Sequence, residues 1–172
     1  MKSSILFMIV AVSVLFSGCA KEEALVKSPI QKTRFQSVSS DKAILLQSGE
    51  QKASCAICGM HLPTFYKTNH AADTKAGTKQ YCSLHCVVHD NEINKTDLKN
   101  LRVVDTHSLK MIPARKAYYV VGSSKPATMS RISKYAFAKK SDAKAFADAF
   151  GGKVMRFDDA YEVAKRDFMK RD

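Results

Sequence analysis

The chain is 172 residues long and 45% hydrophobic, with 28 Lys and Arg against 16 Asp and Glu, a formal charge of +12. That length suffices for one domain, or two small packed modules, with a real core. The positive charges are dispersed and no basic stripe interleaved with aromatic residues occurs, so nucleic acid is not an expected partner; an anionic membrane surface or an acidic protein suits the charge better.

Residues 1–18 read as a secretory leader: Lys2 supplies a basic start, an apolar run extends from Ile5 to Phe16, and small residues precede Cys19. The run is too short to span a bilayer comfortably, and polar sequence follows it. Leu15-Phe-Ser-Gly-Cys19 resembles the bacterial lipobox, departing at Phe16, where leucine is usual. A lipobox implies cleavage before Cys19 and lipidation of that cysteine, palmitate included, on a protein facing the periplasm. Ala20, in place of an aspartate, favours the outer over the inner membrane. Without Lys2 the balance of residues 19–172 is about +11.

Residues 20 to about 34 are rich in Lys, Glu and Ser, contain Pro29, and read as a tether. Ala43-Ile-Leu-Leu46 is a short apolar run ended by Ser48-Gly49 and is expected as a short strand, with the folded part beginning near Ala53. The domain division expected is therefore 1–18 leader, 19–50 anchored tether and N-terminal segment, and 51–172 metal-binding domain.

Two units of the same type then follow. The first has an extended segment from Pro63 to Ala71, a turn at Lys75-Ala-Gly77, a strand Thr78–Cys82, a helix from about Ser83 to Ile93 and a strand Leu101–Asp105. The second has strands Ala117–Val121 and Ser133–Phe137, a helix Ser141–Phe150 stopped by Gly151-Gly152, and a strand Lys153–Phe157. A terminal helix begins at Asp158. The predicted fold class is α+β: two β-β-α-β units packed into one compact domain with a C-terminal helix. Ser83 and Ser141 are expected to cap their helices. Cys82 and Cys86 would then flank a helix N-terminus, where the dipole favours thiolate.

All four cysteines beyond the leader fall in two clusters, Cys55-Ala-Ile-Cys58-Gly-Met60 and Tyr81-Cys82-Ser-Leu-His85-Cys86. Soft-metal binding is the leading reading, with structural disulfides and thiol redox chemistry as alternatives. Cys55, Cys58, Cys82 and Cys86 suit a tetrahedral zinc site; Met60, and Met129 in the loop between the second unit's first strands, add thioethers that suit Cu(I). His85 and His61 neighbour the thiols and are candidate ligands or supporting groups. His70, His89 and His107 read as surface or hydrogen-bonded residues, and Met111 and Met155 as core filler.

Cys55-x-x-Cys58-Gly59-Met60, the aromatic strand into Tyr81-Cys82, Ala117-Tyr-Tyr-Val-Val-Gly-Ser123, and Phe146 through Gly151-Gly-Lys-Val-Met-Arg-Phe157 together resemble the NosL family. These are copper-binding lipoproteins that act as accessory chaperones in assembling nitrous oxide reductase. The resemblance covers about 54–159 and extends to the leader. It implies Cu(I) held by Cys58 and Met60 of the Cys-Gly-Met motif, with Met129 as a further ligand. It also implies a fold of two β-β-α-β units resembling part of the organomercurial lyase. One departure concerns Tyr81 to Cys86: many NosL-like chains have an aspartate and no cysteine pair there. This segment instead resembles the Cys-x-x-x-Cys half of heavy-metal-binding TRASH domains, which leaves the copper acceptor open.

The function expected is a periplasmic, lipid-anchored Cu(I) metallochaperone that is not an enzyme. It would sit at the cell membrane or outer membrane, hand copper to a metalloenzyme such as nitrous oxide reductase or to its assembly factors, and bind no nucleic acid. The alternatives are a structural zinc or heavy-metal module, and a thiol oxidoreductase or organomercurial-lyase-like enzyme using Asp73 or Asp90 as its carboxylate.

Overall fold

The computed structural model describes residues 34–170. The leader, the tether up to residue 33 and the lipidation candidate Cys19 lie outside the described residues. Among those described, no helix is long and apolar enough to cross a membrane.

The first unit comprises β1 (His70–Thr74), β2 (Gly77–Tyr81), α1 (Leu84–Val88), which continues as a π turn over His89–Ile93, and β3 (Lys99–Val104). β4 (Met111–Pro113) then leads to the second unit: β5 (Tyr118–Val121), β6 (Lys134–Phe137), α2 (Lys140–Phe150) and β7 (Lys153–Arg156). α3 (Phe157–Met169) closes the chain. The two sheets have the orders β2-β1-β3-β4 and β6-β5-β7, and every ladder is antiparallel. In each unit the first strand lies centrally, with the second on one side and, after a helical crossover, the third on the other. The expected α+β fold of two β-β-α-β units with a C-terminal helix is thus present.

Local chemistry accounts for the connections. The β1–β2 turn is closed by Thr74, whose Oγ1 donates to Gly77 O at 2.7 Å, while Gly77 takes a φ of +113° that a side chain would resist. α2 stops at Gly151-Gly152; a Cβ on Gly152 would meet Ser123 N and Val121 O at 2.9 Å, so glycine lets the chain pass against β5. Asp105 joins the sheets: it forms a parallel bridge to Ala136, and its Oδ1 accepts from the Ala138 N–H. One apolar cluster draws Tyr81, Leu84, Val87 and Val103 from the first unit and Tyr119, Val121 and Ala136 from the second. A smaller cluster of Tyr135, Phe137, Ala143 and Phe146 lies beneath α2.

Several expectations need correction. Pro63 to Thr68 is not extended; Leu62–Thr68 is a 3₁₀ segment with Pro at its start, burying Leu62 and Tyr66 four residues apart, a helical rather than an alternating spacing. Ala43–Leu46 is not a strand. Its backbone is pinned by side chains, Ile44 N donating to Tyr66 Oη at 3.1 Å and Leu46 N to Gln80 Oε1 at 2.9 Å, so it needs no ladder partner. Packing begins well before Ala53, because Phe35 lies against Tyr135, Phe146 and Phe150 and Gln36 is buried. Neither serine caps: Ser83 is the N-cap of α1 without a side-chain bond, and the N-cap of α2 is Lys139, which leaves Ser141 inside the first turn bonding Asp142.

Candidate metal centre

Residues 54–61 form a tight hairpin closed by a bridge between Ser54 and His61. Inside it, Cys55 N donates to Met60 O at 2.8 Å and Gly59 N to Cys55 O at 3.0 Å, with Gly59 at a φ of +72°. The reversal carries Cys55 and Cys58 to one side, and Ala56 N, donating to Gln80 O at 2.9 Å, sews the hairpin to the end of β2. Cys82 follows β2 directly, and Cys86 sits one turn on in α1, its N–H donating to Ser83 O at 3.2 Å.

This arrangement brings the four Sγ atoms within 4.8 Å of one another. Cys58 and Cys82 are 3.5 Å apart, Cys82 and Cys86 3.6 Å, and Cys86 and Cys58 3.7 Å. All four cysteines are free thiols, so the disulfide alternative is not the state described. Three are buried, and Cys58 is half-buried. A tetrahedral tetrathiolate with bonds of about 2.3 Å has S···S edges of ~3.8 Å; the Cys58, Cys82 and Cys86 sulfurs are within a few tenths of an ångström of it, and Cys55 joins them by a shift of at most about 1 Å. The donor set is soft and fits Cu(I) or Zn(II).

The electrostatics differ from those expected of a helix N-terminus. α1 is only five residues long, and contacts with the other thiols govern Cys82 and Cys86 more than the helix end does. The nearby Cys82 and Cys86 thiols, with the Cys58 and Ile57 backbone N–H groups, favour the charged form of Cys55 against its burial and drive it well below the usual thiol range. Cys82 and Cys86 are driven up, chiefly because they serve as donors to Cys55. The thiols titrate together as one cluster, and Cys55 borders a recess of about 430 Å³ lined by Gln47, Ser54, Gly59 and Thr78.

Met60 and Met129 are half-buried and pack against the core cluster that contains the thiols. Met129, at a φ of +55°, arrives from the second unit. Its neighbour Thr128 is buried, with Oγ1 2.9 Å from Thr68 Oγ1, and Thr68 Oγ1 donates to Cys82 O at 2.8 Å. These two hydroxyls link the Met129 loop to a thiol-bearing residue; with sixty positions between them, no sequence motif announces the pair.

His85 does not belong to the thiol group. Adjacent helical residues project about 100° apart, so when Cys86 faces the other sulfurs His85 faces α3, its ring 4.9 Å from that of Phe168. His61 is exposed and bonds Thr64. His70 is fully buried, with Nδ1 3.0 Å from Thr68 O and Nε2 3.2 Å from Tyr119 Oη, and burial lowers its pKa to about 4. The carboxylates considered for a thiol enzyme are committed elsewhere. Asp73 pairs with Arg102 and accepts from Thr78 and Asn100, and Asp90 accepts from Tyr81, Lys79, Asn94 and Thr96.

The crystal structure of the copper chaperone NosL from Shewanella denitrificans resembles this fold with a TM-score of 0.52 and 28% sequence identity, over 66% of this chain and 94% of that one. The copper-binding lipoprotein NosL of Stutzerimonas stutzeri is 31% identical over 115 residues, which take in 61% of this chain and 60% of that protein. The chain thus spans about three fifths of the length of that relative. The NosL family model matches residues 47–164, well over half the chain, and the chain belongs to the NosL family.

Proposed function

We propose that the chain is a copper-binding chaperone: lipid-anchored through Cys19, facing the periplasm, and carrying Cu(I) as cargo on Cys55, Cys58, Cys82 and Cys86. The leader over 1–18 and the tether from Cys19 serve that arrangement, and the metal-binding domain takes in the packed segment from Phe35 onward. The observation that carries the reading is the convergence of four free thiol sulfurs within 4.8 Å. The family relatives, described as a copper-binding lipoprotein and a copper chaperone, support copper over other soft ions.

Cargo leaves by ligand exchange. Cys58, the least buried thiol, and the thioethers of Met60 and Met129 are the donors an incoming ligand reaches first, while Cys55, Cys82 and Cys86 retain the ion from the buried side. The acceptor is a copper metalloenzyme such as nitrous oxide reductase or one of its assembly factors. Asp73 and Asp90, bound into their own networks, favour carriage over thiol catalysis. Anaerobic competition with a chromophoric Cu(I) chelator tests the proposal: Cys58→Ser and Met60→Leu should each weaken retention, and unchanged affinity in both would refute it.

A second reading, a tetrathiolate zinc site, is favoured by the 3.5 to 3.7 Å edges of the Cys58, Cys82 and Cys86 triangle. Elemental analysis of protein isolated from its own compartment decides between the ions.

A further inference from the structure

We propose that the face where the tether enters the domain, built from Arg34, Phe35, Lys67 and Lys125, docks on an anionic lipid bilayer. The proposal rests on the lipid-anchored reading of Cys19 above, which supplies the nearby membrane, and is independent of the metal carried.

Phe35 is held by aromatic contacts to Tyr135, Phe146 and Phe150 at ring-centroid distances of 5.4, 6.0 and 6.4 Å. Two ammonium groups sit on its ring, Lys67 Nζ at 4.3 Å and Lys125 Nζ at 4.8 Å, and Lys125 also lies 3.8 Å from the centre of Phe150. Arg34 places its guanidinium 5.6 Å over Phe65. Gln36 fixes the geometry: its Nε2 donates to Pro126 O at 2.9 Å, and its backbone carbonyl accepts from Lys67 N at 3.1 Å. The segments carrying Lys67 and Lys125 are therefore tied to the point of tether entry.

Among the described residues, none of these three cations takes part in an ion pair, whereas Lys79, Arg102, Lys134 and Lys165 do. Burial, with the repulsion of Lys125 added to it, lowers the pKa of Lys67. Two like charges fixed near one ring are what a layer of lipid phosphates neutralises. A recess of about 460 Å³ beside them is lined by Phe35, Phe137, Phe146 and Phe150 with Lys67 and Asp142 on its rim. Aromatic bodies with cationic heads are the side-chain chemistry that settles at headgroup level. Asp142 offsets only one of the three charges.

Anchor length selects the membrane over an acidic protein. Fifteen residues lie from Cys19 to Thr33, and a segment of that length reaches at most about 50 Å, so an anchor at Cys19 keeps Arg34 and Phe35 near the headgroups.

The test uses the mature chain with Cys19→Ser, which removes the anchor, floated with phosphatidylcholine vesicles with and without phosphatidylglycerol. Binding is expected only with phosphatidylglycerol and is lost at high salt. Lys67→Gln with Lys125→Gln should weaken it about thirtyfold, at roughly 1 kcal/mol for each lysine. Lys95→Gln with Lys99→Gln, which removes equal charge from the start of β3 and the turn before it, should change it about threefold or less. Equal loss in the two double variants, equal binding to neutral vesicles, or no binding of the parent overturns the proposal; the last result leaves an acidic protein as the occupant. Cu(I) affinity measured on the same preparations in solution separates failure of docking from failure of the copper reading.

Discussion

Asp90 should be an expensive side chain to remove, and its cost follows from its partners. It is fully buried and accepts from Tyr81 Oη at 2.8 Å, Thr96 Oγ1 at 2.7 Å, Asn94 Nδ2 at 3.0 Å and Lys79 Nζ at 2.9 Å. In Asp90→Ala the Tyr81 hydroxyl, itself buried, is left without its acceptor, at about 1–3 kcal/mol. Loss of the bonds from Thr96 and Asn94 adds about 1 kcal/mol each, and Lys79, a third exposed, adds 1 kcal/mol at most because it can turn to water. The sum is about 3–6 kcal/mol, or a fall of about 10–20 °C in Tm for a domain of this size. Asp90→Asn keeps one acceptor oxygen and should lose about half as much. Urea denaturation of reduced, metal-free protein measures both. A cost below about 1 kcal/mol for Asp90→Ala would show that the network does not hold the turn after α1. The pH dependence has a definite sign. Burial raises the Asp90 pKa, but bonds from Asn94, Lys79, Thr96 and Tyr81 outweigh it and lower it overall. The stabilisation is therefore complete above the unfolded carboxyl value of about 3.9 and disappears as pH falls through the folded one.

His70 acts at higher pH. With a folded pKa of about 4 against about 6.5 unfolded, the unfolded chain takes up its proton first; stability falls from pH 6.5 towards 4, by about 3 kcal/mol in full. A ring-proton resonance titrating near pH 4 checks the assignment. Gly152→Ala forces a Cβ to 2.9 Å from two backbone atoms at a φ of +95° and should cost about 1–3 kcal/mol in chemical denaturation, displacing β7 from β5. Chelating the metal should lower the Tm and expose four thiols to a colorimetric thiol reagent, against few in the loaded protein.

Much of this architecture was legible in the chain. The second unit shows its elements through β-branched and aromatic runs at Tyr118–Val121 and Lys134–Phe137 and through Gly151-Gly152. The segment before β1 misled because Pro63, Phe65 and Tyr66 also suit a strand; only the tertiary burial of Leu62 and Tyr66 reveals a helical turn. β4 is three residues long, too short for any periodicity. At the site, clustering in the chain was enough to nominate the four thiols, since few soft donors occur elsewhere. It could not place His85, whose ring lies against Phe168 while its neighbour Cys86 faces the cluster by virtue of the helix phase alone. Thr68 and Thr128 were invisible because a buried hydroxyl pair depends on how two sheets meet, which no local pattern records.

That hydroxyl pair bears on the order in which a site of this kind comes apart. The thiols are embedded in packed apolar surface, so moving Cys82 or Cys86 means disturbing Tyr81, Leu84 and Val87 with them. The Met129 loop is joined to Cys82 through the Thr68–Thr128 contact, and Gln36 and Tyr135 hold the same loop by donating to Pro126 O. Met129 itself packs on the apolar cluster that contains the thiols. A site tied in this way loosens as a unit, the thioether loop and the thiol bed together rather than in turn.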